Sequence, residues 1–236
     1  MKILAIGEQK RFEELQSRLG AEHQYTYKPD FSDGFLSSEQ LNGFDYIFDL
    51  NFDDNPANLN YYARLENVPV LVSAAKISLS EQFARFKSPI NQYNITGCNF
   101  LPTMIHRPKW EVTQLRPGNL RVLAKLENEL GVPTLQVGDR VGMVTPRVLA
   151  MIINEGAFTV QEGTASVPDV DLGMKLGTNY PFGPLEWADR IGLQHVVDLL
   201  HAIYDDTKDE RYKVCPLLKN LVFSEETFYH YHQNLA

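Results

Sequence analysis

The sequence predicts an α/β domain followed by an all-helical domain. Two observations carry this expectation. Short apolar runs alternate with amphipathic stretches up to residue 137, and from Arg147 onward apolar residues recur only at helical spacing. Alternating strands and helices favour a parallel sheet with covered faces, whereas helices alone favour a separate bundle. The boundary falls near Gly138–Gly142, giving domains of 1–140 and 141–236.

The elements follow in order. Lys2 to Ile6 reads as a buried strand, and so short an apolar run with one lysine is not a secretory signal. Residues 9–19 form a helix with Phe12, Leu15 and Leu19 on one face. Tyr25 to Tyr27 is a second strand, ended by Pro29, and a polar stretch containing Asp33 and Gly34 follows. Tyr46 to Leu50 and Pro69 to Val72 are strands on either side of a helical run from Ala57 to Leu65. Val122, Leu123, Leu126 and Leu130 mark an amphipathic helix over 121–130, which Gly131 stops, and Thr134 to Val137 is a strand. Beyond it, Val148, Leu149, Ile152 and Ile153, then Val196, Val197, Leu200 and Ile203, repeat at helical spacing.

Bulk properties narrow the function classes. The 236 residues are 44% hydrophobic and 22% charged, ordinary globular values for one large or two modest domains. A formal charge of −8 argues against a nucleic-acid-tracking surface. No window approaches the roughly 18 apolar residues of a membrane span, so no membrane partner is expected. Two cysteines, Cys98 and Cys215, are too few for a disulfide framework and read as free thiols of a cytoplasmic protein.

The most specific stretch runs from Gly138-Asp-Arg-Val-Gly142 and Thr145-Pro-Arg147 to Met174-Lys-Leu-Gly177, Pro181-Phe-Gly-Pro-Leu-Glu186 and Ala188-Asp189. It resembles the C-terminal helical domain of the 3-hydroxyacyl-CoA dehydrogenases. That resemblance implies a Rossmann-like N-terminal domain, truncated here between Asp30 and Phe44. It also implies an all-α domain that closes an acyl-CoA site and forms a homodimer. Phe182, Leu185 and Trp187, with the face Val196, Val197, Leu200 and Ile203, supply apolar surface for that dimer.

Residue by residue, the resemblance is incomplete. The family's dinucleotide loop needs three glycines, for a tight turn, for approach of the pyrophosphate and for close helix–strand packing. Only Gly7 matches; Gln9 and Phe12 hold the other two places. Gln9 is expected to project where the pyrophosphate would lie, Phe12 to force helix and strand apart, and Glu8 to add an unfavourable charge at the helix N-terminus. Asp30 lies at a plausible distance for a ribose-binding acid.

Gly97-Cys-Asn-Phe100 is similar to the family's Gly-x-His-Phe, and Trp110-Glu-Val112 to its Val-Glu-Val. By the resemblance, the His takes the proton of the 3-hydroxyl while hydride passes to the nicotinamide, and the Glu twelve residues on orients it. Asn99 stands in the place of that His, and its amide takes up no proton near neutral pH. Glu111 keeps the spacing, although a strand-end carboxylate kept for packing reads the same way.

Phe44 to Asp54 is similar to a family segment bordering the substrate pocket, with Asp49 in the acid's place. Its alternating Asp49, Asn51 and Asp53 are not a calcium loop, because Asp54 replaces the required glycine and Asn60 the bidentate glutamate. The family's substrate-binding serine falls on Ala75 or Lys76, leaving Ser73 or Ser78 to substitute only if the loop shifts. Pro146 replaces an asparagine. His106 reads as a displaced base or, more simply, a surface residue. His230 and His232 flank Tyr231 in a segment from Phe228 that resembles the family's closing Gly-Phe-Tyr-x-Tyr and alternates as an extended tail. No third ligand accompanies them, so no metal is expected.

The expected function is that of a catalytically degenerate relative linked to acyl-CoA and fatty-acid metabolism, binding or scaffolding rather than oxidising, with no cofactor. The alternative is an active NAD-dependent 3-hydroxyacyl-CoA dehydrogenase. Asn99 and Glu111 mark the catalytic positions, Gly7 a vestigial cofactor contact, and Asp49 and Ser78 the substrate side.

Overall fold

The computed structural model describes all residues except 33–35, 63–64, 66–67, 88–93, 116–119 and 236, and leaves the side chains of 120, 121 and 235 undescribed. The expected polar stretch at Asp33 and Gly34, and part of the expected 57–65 helix, lie outside the described residues. Two compact units are present, Met1–Met143 and Val144–Ala236.

The first unit is built on seven strands: β1 (Lys2–Ile6), β2 (Gln24–Lys28), β3 (Tyr46–Asp49), β4 (Val70–Ser73), β5 (Ile95–Cys98), β6 (Trp110–Thr113) and β7 (Thr134–Gln136). Their order is β2-β1-β3-β4-β5-β6-β7. Neighbours run parallel except β5 and β6. Between the strands lie α1 (Gln9–Leu19), α2 (Ser38–Leu41), α3 (Leu59–Tyr62), α4 (Leu79–Arg85) and α5 (Leu120–Leu130). Among the described residues of the 57–65 run, Pro56–Asn58 is a 3-10 turn, Leu59–Tyr62 is helical and Leu65 is not.

Period-two alternation sorts the strand residues onto two buried faces. Ile3, Ala5, Tyr46, Phe48 and Trp110 pack with Leu15 and Leu19 of α1 and Val122, Leu123, Leu126 and Leu130 of α5. Leu4, Ile6, Ile47, Val70 and Val72 pack with Leu59 and Tyr62 of α3 and Leu79 and Phe83 of α4. A sheet covered on both faces with strands running out from a reversal of order is the Rossmann-like arrangement. The reversal lies between β1 and β3, and the chain's chemistry gathers at their carboxyl ends.

The second unit is all-helical: α6 (Thr145–Gln161), α7 (Val167–Thr178), α8 (Pro184–Ile191), α9 (Leu193–Thr207), α10 (Pro216–Phe223) and α11 (Phe228–Leu235). One expectation is corrected here: Phe228 to His232 is helical, not extended. Helix α7 runs through Gly177 and ends at left-handed Asn179. The surface assigned to association is also reassigned. Leu185, Val196, Val197, Leu200, Ile203 and Trp187 are buried within this one chain as the unit's own core. Phe182 is half-covered, with Arg190 over its ring at 4.2 Å.

Candidate functional site

The carboxyl ends of β1, β3, β4 and β5 present Gly7, Asp49, Ser73 and Asn99. Asn99 directly follows β5, whose antiparallel register with β6 pairs Cys98 with Val112. The next step of that ladder sets Asn99 against Glu111, and the Asn99 N–H donates to the Glu111 carbonyl oxygen at 3.2 Å. Both residues are buried. The twelve-residue spacing therefore does bring the two predicted positions together. Phe100 anchors the pair by packing edge-on against Trp110 at 5.2 Å, and the Trp110 indole N–H is satisfied by the Ile105 carbonyl. Gly97 is required for closeness, because a Cβ there would meet Thr113 at 2.7 Å and Ala74 at 2.9 Å.

At this pair the available chemistry is narrow. The Asn99 side-chain oxygen accepts from the Leu101 N–H at 3.4 Å, which orients the amide but gives it no proton-accepting power. His106 lies in the same turn region, exposed at the surface. That region is tied instead to α1, where Glu14 accepts the Thr103 N–H through both oxygens at 2.9 Å. Burial raises the Glu14 acid range, and this backbone bond lowers it in part.

The loop after β1 departs from expectation in a specific way. Gly7 has φ +136°, and a Cβ there would stand 2.6 Å from the Asn51 side-chain oxygen, so the turn demands glycine. Gln9, however, does not project into the crevice; it is exposed and donates along the helix to Glu13 at 2.8 Å. Phe12 lies against β2, stacking on Tyr27 at 4.6 Å and meeting Tyr25 edge-on at 5.9 Å. The residue that enters the crevice is Arg11, wholly buried at 0% exposure.

The Arg11 guanidinium donates to the Leu50 carbonyl just beyond β3. It lies 3.2 Å from Glu8, 4.0 Å from Asp53 and 3.9 Å from Asp54. Lys76, beyond β4, pairs with Asp54, and its backbone N–H donates to Asp53 at 3.3 Å. Sequence reasoning missed this network. Its one signal is helical spacing: Arg11, Leu15 and Leu19 form the buried face of α1, a place where a charge needs partners.

The remaining predicted residues are engaged by the protein itself. Asp49 is fully buried, accepting from the Tyr62 hydroxyl at 2.7 Å and the Asn58 amide at 2.8 Å. Burial pushes its carboxyl up to about 6, against the lowering effect of those donors. Ser78 caps α4, accepting from the Glu81 N–H and donating to Asp139 at 3.0 Å. Asp30 accepts from both the backbone and hydroxyl of Ser32, which lowers its acid range. Ala75 and Lys76 are buried, and the Ser73 hydroxyl has no hydrogen-bond partner. Among the described residues, no three His, Cys, Asp or Glu side chains gather as metal ligands, and no helix is long and apolar enough to cross a membrane.

In the helical unit, the residues of the long motif are structural. Pro146 sits buried in the first turn of α6, where a missing N–H costs nothing. Asp171, buried in α7, accepts the N–H groups of Leu185 and Glu186 at 2.7 and 2.8 Å and so caps α8. Any Cβ on Gly183 would collide with the Asp171 side chain, which explains the glycine between Phe182 and Pro184. Asp189 of α8 in turn accepts from Phe228 and Tyr229 at the start of α11, and the Tyr229 hydroxyl returns to Asp171 at 2.9 Å. Two carboxylates thus tie three helices into a ring.

Residues 142–228 match the family model described as 3-hydroxyacyl-CoA dehydrogenase, C-terminal domain. Over that segment the chain is similar to the 3-hydroxyacyl-CoA dehydrogenase family. The 3-hydroxyadipyl-CoA dehydrogenase of Escherichia coli is 41% identical over 98 residues, which are 42% of this chain and 21% of that protein. The probable 3-hydroxybutyryl-CoA dehydrogenase of Bacillus subtilis is 39% identical over 97 residues, 41% of this chain and 34% of that protein. The chain therefore spans about a fifth to a third of the length of these family relatives. In fold it is similar to FadB2 of M. tuberculosis, with TM-score 0.74 and 18% identity over 97% of this chain and 98% of the other. The matched family segment includes the Asp171–Gly183–Asp189–Phe228 ring, and the α/β unit with Arg11 and Asn99 lies outside it.

Proposed function

We propose that this chain is a member of the 3-hydroxyacyl-CoA dehydrogenase family that serves acyl-CoA and fatty-acid metabolism by binding or scaffolding, having given up the dehydrogenase reaction. One observation carries the reading: Asn99 stands against Glu111 where a proton acceptor is needed, and an amide accepts no proton. The crevice beside Gly7 supports it, since the residues there do not fit a dinucleotide. An incoming pyrophosphate would meet Glu8, Asp53 and Asp54 with their cations already engaged. No cofactor is proposed, and a cytoplasmic location agrees with the cysteine usage.

A homodimer through the helical unit is part of the proposal. Its support is now the outer face of α7, where Leu172 and Leu176 are 55% and 79% exposed. Gly173 and Gly177 lie beside them, and a Cβ at either would meet nothing in this chain. Glycine inside a helix costs about 1 kcal/mol relative to alanine, so two with no internal need favour close approach of another backbone.

The test is NADH-dependent reduction of acetoacetyl-CoA by the full chain, beside calorimetric titration with acetoacetyl-CoA alone. No turnover is expected. Turnover would overturn the reading in favour of an active dehydrogenase, and heat of binding without turnover would assign an acyl-CoA ligand.

A further inference from the structure

We infer that the Arg11 network is a built-in occupant of the crevice at which this fold ordinarily takes a dinucleotide, and that it holds the crevice shut. The inference deepens the proposed function, resting on its premise that the α/β unit uses no NAD. Ligands of open parallel sheets bind outside the carboxyl ends of strands where the order reverses, here between β1 and β3. Three kinds of contact close that place.

First, the loops after the two strands are joined directly. The Glu8 N–H, the first at the start of α1, donates to the Asn51 side chain at 3.1 Å, and Arg11 donates to the Leu50 carbonyl. One N–H of the helix terminus that would receive a phosphate is therefore already donating to protein oxygen. Second, Tyr27 closes the β2 side, its hydroxyl donating to the Gly7 carbonyl at 3.0 Å and its ring stacked on Phe12. Third, charge already fills the place: two cations, Arg11 and Lys76, lie among three carboxylates, Glu8, Asp53 and Asp54.

A buried guanidinium is tolerated only while its partners stay in place, so the cluster acts as one unit. Arg11 enters from the α1 face that also carries Leu15 and Leu19, and it is fixed there by helix packing. The position a cofactor would fill by binding is filled by a side chain tethered to the fold.

Two measurements on the full chain test this. In the first, the wild type is titrated with NADH, NAD and ADP, and thermal unfolding and calorimetry are followed. No shift in midpoint and no saturable heat are expected; a saturable rise with any of the three overturns the closure. In the second, Arg11→Met, Asp53→Asn and the double variant are unfolded thermally. Asp53→Asn should lower the midpoint of the wild type strongly and that of Arg11→Met much less; additive losses overturn the network. Should Arg11→Met not fold, Arg11→Lys takes its place in the cycle, and the wild-type titration decides independently. NADH binding without acetoacetyl-CoA turnover would remove this inference and leave the loss of catalysis standing, whereas turnover would remove both.

Discussion

Asn99 and Glu111 face one another across the antiparallel pair of β5 and β6, joined by a backbone hydrogen bond of 3.2 Å. In the proposed reading they stand at the positions of a base and its orienter, of which only the carboxylate remains. Asn99→His restores the residue type without restoring a hydride acceptor. The variant should show no NADH-dependent reduction of acetoacetyl-CoA beyond a matched Asn99→Ala control. Activity well above that control would show that one substitution separates this chain from an enzyme.

Asp49 makes stability depend on pH. Its folded acid range is raised to about 6 by burial, so the native state keeps a proton that the unfolded chain has released. Stability from this group is full below about pH 4 and falls as pH rises through about 6. A gap of roughly two pKa units corresponds to ~3 kcal/mol. Asp49→Asn keeps an oxygen for the Tyr62 and Asn58 donors and carries no charge. Urea unfolding across this range should show the slope in the wild type and a flatter profile in the variant. An equal slope in both would assign the dependence to another group.

Asp171 is predicted to be the most sensitive polar residue of the helical unit. Asp171→Ala strands two N–H groups of α8 and the Tyr229 hydroxyl, at a cost of roughly 3 kcal/mol. Tyr229→Phe, which removes one of these bonds, should cost about 1 kcal/mol. Chemical denaturation of the two variants gives both values, and equal costs would contradict the capping role.

The outer face of α7 separates stability from association. Light scattering of the wild type should report about twice 26.9 kDa, and Leu176→Asp should yield monomer. Gly173→Ala meets no atom of its own chain and should stabilise a monomer by about 0.8 kcal/mol while weakening the dimer. A monodisperse wild-type monomer at micromolar concentration would exclude the interface.

The fold was legible because strands of a doubly covered sheet are apolar runs, and β1, β3 and β4 are nearly pure ones. The pairing of Asn99 with Glu111 was legible because spacing across adjacent strands is fixed by register. Arg11 was not, since its partners Asp53, Asp54 and Lys76 lie on loops beyond other strands and no local pattern links them. The tail from Phe228 carried a local signal that the alternation of aromatic and histidine residues masked: Thr227 caps α11 by accepting the His230 N–H at 3.1 Å, and Asp189, 39 residues earlier, accepts the Phe228 N–H besides. The packing face of α9 was visible in the sequence, but whether its cover comes from the same chain or another is a tertiary fact.

The ring joining Asp171, Asp189 and Tyr229 has a consequence for synthesis. A chain emerging from the ribosome exposes α7 and α8 well before residues 228 and 229 exist, so two carboxylates and the start of the ring wait for their last donors. The α/β unit spans Met1–Met143 and is synthesised much earlier. Folding of the two units is thereby staggered in time, with the helical one closing only as α11 is delivered.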